Sequence, residues 1–238
     1  MTKPMLKICG LKRESDVLDC MRLGVDILGF VVEYPIDVPW NLSRNQAQTL
    51  LQLVKPPQLS CLVTGGSAAR IINLAEKLQP DLVQLHYHET LEDTRKIAEA
   101  LLPLGTGVIK TVPSSEYEQM QQFGTNDLKI IIDSLNQTDI YAILADAREP
   151  SNAADTSTKL NPEFCRNVEN LSKKPVIIAG GIDSDNISDL ADQTGIYFFD
   201  IMTGVEIKPG VKNTAQITMA VAAVEKMKTD RNLIKREK

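Results

Sequence analysis

Three side chains with proton-transfer chemistry stand at the ends of apolar runs. Met5, Leu6 and Ile8 lead into Cys9-Gly10, Ile143-Leu144 leads to Asp146, and Tyr197 to Ile201 carries Asp200. A thiol at such a boundary serves as a base or nucleophile, or simply packs, since free cysteine is among the most buried residue types. A carboxyl group behind an apolar run is desolvated, which moves its pKa towards that of a useful acid. The same position also suits a plain loop cap. Two glycine turns, Ala179-Gly180-Gly181 and Thr203-Gly204, offer backbone N–H groups to a phosphate. Either alone is an ordinary turn. His86 and His88 lie two apart with no carboxylate or cysteine partner evident in the sequence. They read as solvated or core histidines rather than metal ligands, and no metal is expected.

The elements that must position these groups alternate along the chain. Strand candidates are Met5 to Ile8, Asp26 to Val32, Leu59 to Val63, Asp81 to Leu85, Gly107 to Thr111, Tyr141 to Leu144, Pro175 to Ala179 and Tyr197 to Ile201. Amphipathic helices follow. Glu14 to Leu23 carries Val17, Leu18 and Met21 on one face. Ser43 with Gln46 makes a capping box ahead of Ala47, Leu50, Leu51 and Val54. Ser67 opens a helix with Ile71, Leu74, Ala75 and Leu78, and Asn161-Pro162 opens one with Phe164, Val168 and Leu171. Asn126 to Gln137 reads as an extra helical piece, with Asp133 on its solvated side. A last helix starts near Thr214 and ends in a fraying Arg236-Glu237-Lys238.

Eight strand-then-helix units in 238 residues are the pattern of an α/β protein of the (β/α)8 TIM-barrel class, with a doubly wound open sheet as its rival. No composition shift or linker divides residues 1–238, so one barrel domain is expected. In a barrel the strand ends converge on one mouth. Cys9 and Asp146, on strands one and six, then face each other across a small substrate, an arrangement suited to taking a proton from one carbon and giving one elsewhere.

Composition narrows the classes further. A formal charge of −5 argues against a nucleic-acid binder, which usually shows a basic face. The four cysteines, Cys9, Cys20, Cys61 and Cys165, are scattered without a CxxC pair, which points to a reducing cytoplasm. Met1 to Met5 is too short and polar for a signal peptide, and no run approaches a membrane span.

Lys7-Ile8-Cys9-Gly10, Leu28-Gly29-Phe30, Val83-Gln84-Leu85-His86, Ala179-Gly180-Gly181-Ile182, Asp200 to Glu206 and Pro209-Gly210-Val211-Lys212 resemble, in order, the blocks of the phosphoribosylanthranilate isomerase family of tryptophan biosynthesis. The resemblance implies an Amadori rearrangement of a phosphosugar without cofactor or metal, in a monomer or homodimer. By it Cys9 is the general base at sugar C2, and Asp146 is the acid that opens the ring. Asp200 and His86 are substrate contacts, and Gly180, Gly181, Thr203 and Gly204 hold the phosphate. Three departures stand out. Trp40 occupies the place of an arginine that meets the anthranilate carboxylate, with Arg44 one helical turn away. Arg148 to Lys159 contains no glycine where the family carries a Gly-Gly-Thr-Gly loop, leaving Thr156, Ser157, Thr158 and Lys159 as substitutes. Tyr87 follows His86 where glycine is usual. Two other readings stay open: a paralogue for another phosphorylated aminosugar, with Trp40 stacking on an uncharged ring, and a non-catalytic phosphometabolite-binding barrel.

Overall fold

The computed structural model describes residues 3–147 and 159–236, with the side chains of α9 described as far as Thr229. Eight parallel strands close into a barrel: β1 (Met5–Ile8), β2 (Ile27–Val31), β3 (Leu59–Thr64), β4 (Leu82–Leu85), β5 (Gly107–Pro113), β6 (Ala142–Asp146), β7 (Val176–Ala179) and β8 (Phe198–Ile201). The ring is closed by β1 against β8, with Lys7 opposite Asp200 and Ile8 opposite Ile201. The open-sheet alternative is therefore excluded. Each expected strand is present within a residue or two of its expected ends, and β6 runs on to include Asp146 itself.

The helices are α1 (Glu14–Leu23), α2 (Arg44–Leu51), α3 (Ala68–Leu78), α4 (Leu91–Leu101), α5 (Glu116–Phe123), α6 (Leu128–Asn136), α7 (Pro162–Leu171), α8 (Ile187–Thr194) and α9 (Thr214–Arg236). Their starts follow from local chemistry. Ser43 and Gln46 satisfy each other's backbone N–H groups at α2, and Asn161 accepts from Glu163 and Phe164 N–H at α7. Ser67 stands at the N-cap of α3 but makes no side-chain cap bond. A short β-hairpin, β9 (Glu206–Lys208) with β10 (Val211–Lys212), precedes α9.

Side-chain alternation sorts the strands' two faces. Leu6, Ile8, Leu28, Phe30 and Val83 point out to the helices, whereas Ile27, Cys61, Leu82, Ile109, Leu144, Ile177 and Phe198 fill the barrel. Two helices, not one, link β5 to β6. Helix α6, read from the sequence as the extra piece, buries Ile131, Ile132 and Leu135 against the barrel, at roughly 1.5–3 kcal/mol each, and so is a full member of the outer layer. Asp133 is partly exposed on the solvated side, as expected, and pairs there with Lys129. Helix α5 is the addition, and its buried face is polar: Glu118, Gln119 and Gln122.

That polar face answers a buried cation. Lys110 is fully enclosed and donates to Glu89 O at 2.8 Å and Gln122 Oε1 at 2.9 Å. Burial lowers its pKa from 10.5 to about 8, although the charges of Glu89, Asp93 and Glu118 oppose the fall. A lysine depressed in the folded state weakens folding while it must carry its proton there. Between pH 8 and 10.5 the unfolded chain binds that proton more tightly, so stability rises with pH across this window. The gain from this one group is roughly 3 kcal/mol. Chemical denaturation of wild type and Lys110→Met at both ends of the window should show that rise only in wild type; an identical rise in the variant would remove Lys110 as its source.

Candidate active site

One cavity opens at the carboxyl ends of the strands. Its lining includes Cys9, Gln84, His86, Asp146, Asp200 and Trp40. Cys9 follows β1 directly and is 4% exposed. Across from it, Gly29 on β2 leaves room that no other residue would. A Cβ there would lie 2.9 Å from Cys9 Sγ and 3.0 Å from Lys7 Nζ, so thiol and ammonium share the volume a methyl group would fill.

Burial is the largest influence on the Cys9 thiol and pushes its pKa above the ordinary 9.0. The charges of Lys7 and, further off, Lys212 pull it down, while Asp200 pushes it up. The thiol form is therefore favoured at neutral pH. Lys7 is fully buried inside the barrel, with Nζ 2.7 Å from Asp200 Oδ2. Burial acts to lower its pKa, but the charge and hydrogen bond of Asp200 help to outweigh that, and the ammonium form is favoured.

Asp146 closes β6 and His86 follows β4. His86 Nε2 lies 2.8 Å from Asp146 Oδ2, with both side chains buried. The sequence suggested no partner for either histidine, because these contacts span 60 residues in one case and join the polar face of α5 in the other. His88 Nδ1 meets Glu118 Oε2 at 3.1 Å. The His86 backbone is held in turn: its carbonyl accepts from Tyr34 Oη at 2.7 Å. Gln84 Oε1 and Asp200 Oδ1 are buried acceptors with no hydrogen-bond donor among the described residues. Both belong to cavity-lining side chains.

At the other end, Gly180, Gly181 and Thr203 line the cavity. Gly180 has φ +108°, and a Cβ on it would lie 2.7 Å from Ala147 Cβ. Gly204 is set just behind them, bridged to Asp183, where a Cβ would fall 2.0 Å from Ile182 O. The loops after β7 and β8 are thus in backbone contact. Thr156, Ser157 and Thr158 lie outside the described residues; Lys159 is exposed.

Trp40 is buried on the cavity wall, and its indole Nε1 donates to Glu206 Oε1 at 2.9 Å. The same oxygen accepts from Lys212 Nζ at 2.8 Å and Gly210 N at 3.2 Å. Arg44 does not line the cavity: its guanidinium meets Glu33 Oε2 at 3.3 Å. Arg70 also reaches Glu33 and the Gly65 carbonyl. No lysine or arginine is among the described lining residues.

Residues 6–223 match the family model described as N-(5'phosphoribosyl)anthranilate (PRA) isomerase. The chain belongs to the N-(5'-phosphoribosyl)anthranilate isomerase family. Among curated relatives, the N-(5'-phosphoribosyl)anthranilate isomerase of Haloferax volcanii is 28% identical over 221 residues, covering 92% of each chain. A crystal structure of phosphoribosyl anthranilate isomerase in complex with reduced 1-(o-carboxyphenylamino)-1-deoxyribulose 5-phosphate superposes with TM-score 0.74 at 24% identity, over 94% of this chain and 99% of the other. Monomers of the dimeric phosphoribosylanthranilate isomerase of Thermotoga maritima superpose equally well, TM-score 0.74, at 23% identity over 94% and 99%. The isomerase fold is thus shared throughout, and the cavity opens at the strand ends where this class of barrel keeps its chemistry.

Sequence reading of this isomerase passed over Lys7, Tyr34 and the acceptor Gln84. Lys7 was visible as a charge two residues before Cys9 in a strand, and so on the same face. Among the described residues no helix is long and apolar enough to cross a membrane, and no cluster of three or more His, Cys, Asp or Glu is arranged to hold a metal ion. Because burial raises the Cys9 pKa, iodoacetamide should label Cys9 about tenfold faster per pH unit up to beyond pH 9, read by mass spectrometry. A plateau near neutral pH would contradict that.

Proposed function

We propose that Cys9 and Asp146 are the base and the acid of the family's reaction, the rearrangement of N-(5-phosphoribosyl)anthranilate to 1-(2-carboxyphenylamino)-1-deoxyribulose 5-phosphate in tryptophan biosynthesis. The carrying observation is that these two groups, from strands three apart round the ring, line one cavity with Asp200. Asp146 gives its proton to the furanose ring oxygen, the C1–O bond breaks, and the amine nitrogen's lone pair completes a protonated imine. The Cys9 thiol first gives its proton to solvent at the cavity mouth, and the thiolate then takes the proton from C2. The C2–H electron pair forms the C1–C2 double bond, the imine accepts electrons at nitrogen, and the enolamine tautomerises to the ketone. All atoms of the substrate are kept.

His86 Nε2, 2.8 Å from Oδ2, orients the Asp146 carboxyl group in the cavity. Sugar hydroxyls would donate to Asp200 Oδ1 and Gln84 Oε1, the two orphaned acceptors. The phosphate would lie against the backbone of Gly180, Gly181, Thr203 and Gly204, the loops after β7 and β8. Trp40 and Tyr34 supply the apolar wall for the aromatic ring. The expected setting is cytoplasmic, as a monomer or homodimer. A second reading, a shifted preference towards an N-substituent without charge, is favoured by one fact: the Trp40 N–H is committed to Glu206 and no cation lines the described wall.

Loss of anthranilate fluorescence on adding substrate measures turnover. Cys9→Ala and Asp146→Ala should each lower kcat by roughly 100- to 10,000-fold with little change in KM. Turnover in either variant equal to wild type would sink the assignment of that residue.

A further inference from the structure

We infer that Lys7 is the positioning residue of this site: its ammonium, clamped by Asp200 across the β1–β8 seam, is the fixed charge against which the Cys9 thiol ionises. The inference rests on reading Cys9 as the base. Its geometry does not, because it is a matter of which groups share a buried volume.

Lys7 and Cys9 are two residues apart on one strand and both face the barrel interior, where Gly29 makes room for their ends together. The ammonium is fully enclosed and held at 2.7 Å by Asp200 Oδ2. Of the cations, it acts most strongly on the sulfur. The other charges facing Cys9 are few. Asp200 on β8 opposes ionisation, and Lys212 on β10 favours it but is spent on Glu206 Oε1 and Met202 O. Cys61 on β3 lies beside Lys7, its own pKa pushed up by burial to about 12. Across the cavity stand His86 and Asp146, already paired with each other. No arginine or lysine comes in from β2, β4 or β7 among the described lining residues.

A thiolate made in that interior without Lys7 would be an uncompensated buried anion, which folded proteins avoid by keeping the group neutral. With Lys7 present, part of the charge that forms on the sulfur is offset by the ammonium, against the opposing charge of Asp200. Lys7 itself keeps its proton throughout and acts on the substrate only through the Cys9 sulfur.

The decisive variant is Lys7→Met, which keeps the length and removes the charge. Iodoacetamide labelling of Cys9 across pH, followed by peptide mass spectrometry, should report an ionisation raised by about one pH unit or more. Labelling near pH 8 should then be at least about tenfold slower than in wild type. Turnover should fall by a similar factor in kcat, with KM unchanged within about twofold. A folded Lys7→Met protein whose Cys9 labels along the wild-type profile overturns the inference.

If the variant does not fold, the wild-type protein decides. With 15N in lysine side chains and 13C in cysteine, the Lys7 Nζ resonance should move with the same pH midpoint as Cys9 Cβ. A Lys7 signal indifferent to that midpoint overturns the inference just as firmly. Failure of the base reading has a separate signature. Full turnover in Cys9→Ala would remove the base, while the labelling profile would still report whether Lys7 governs the thiol.

Discussion

The barrel depends on one closing seam, and that seam carries a buried ion pair. Lys7 and Asp200 are register partners across β1 and β8, and their charges meet at 2.7 Å inside the ring. A one-residue slip of either strand would send its interior side chains outward, since strand side chains alternate. It would leave a lysine or an aspartate alone in an apolar filling, at a cost of roughly 3–5 kcal/mol. The pair is thus a register device as well as a charge. The same register that satisfies it puts Cys9 at the rim.

Above and below that pair the interior changes character. Ile27, Cys61, Leu82, Ile109, Leu144 and Ile177 pack the ring beneath, and Gln84, His86, Asp146 and Asp200 face the mouth. The apolar floor keeps water from the acid and the base alike, but the two are treated differently. Asp146 keeps a hydrogen-bonding imidazole, whereas Cys9 is left with burial against it and a lysine for it. Proton-transfer groups placed in one cavity are thereby kept distinct by what surrounds each.

Much of this was legible in the chain. Apolar runs ending at Cys9, Asp146 and Asp200 marked strand ends because a buried parallel strand needs no polar alternation. The glycine turns at Gly180, Gly181 and Gly204 marked close backbone approach. What stayed hidden has physical reasons. The His86–Asp146 contact joins residues 60 apart, and periodicity says nothing about which strand ends touch. Helix α5 shows no apolar stripe because Glu118, Gln119 and Gln122 are what it buries. Lys7 looked like any strand lysine until the closed ring gave it a partner. Arg44 stands one helical turn from the family arginine's place, and Glu33 draws its guanidinium away from the cavity. Thr156 to Thr158, named as phosphate substitutes, lie outside the described residues.

Glu206 takes three donors on a single oxygen, the indole of Trp40 from the loop after β2 and, within its own hairpin, the ammonium of Lys212 and the N–H of Gly210. Position 40 is thereby coupled to the hairpin: a side chain there without an N–H would strip one of three donors from a buried carboxylate and cut the tie between the β9–β10 hairpin and the loop after β2.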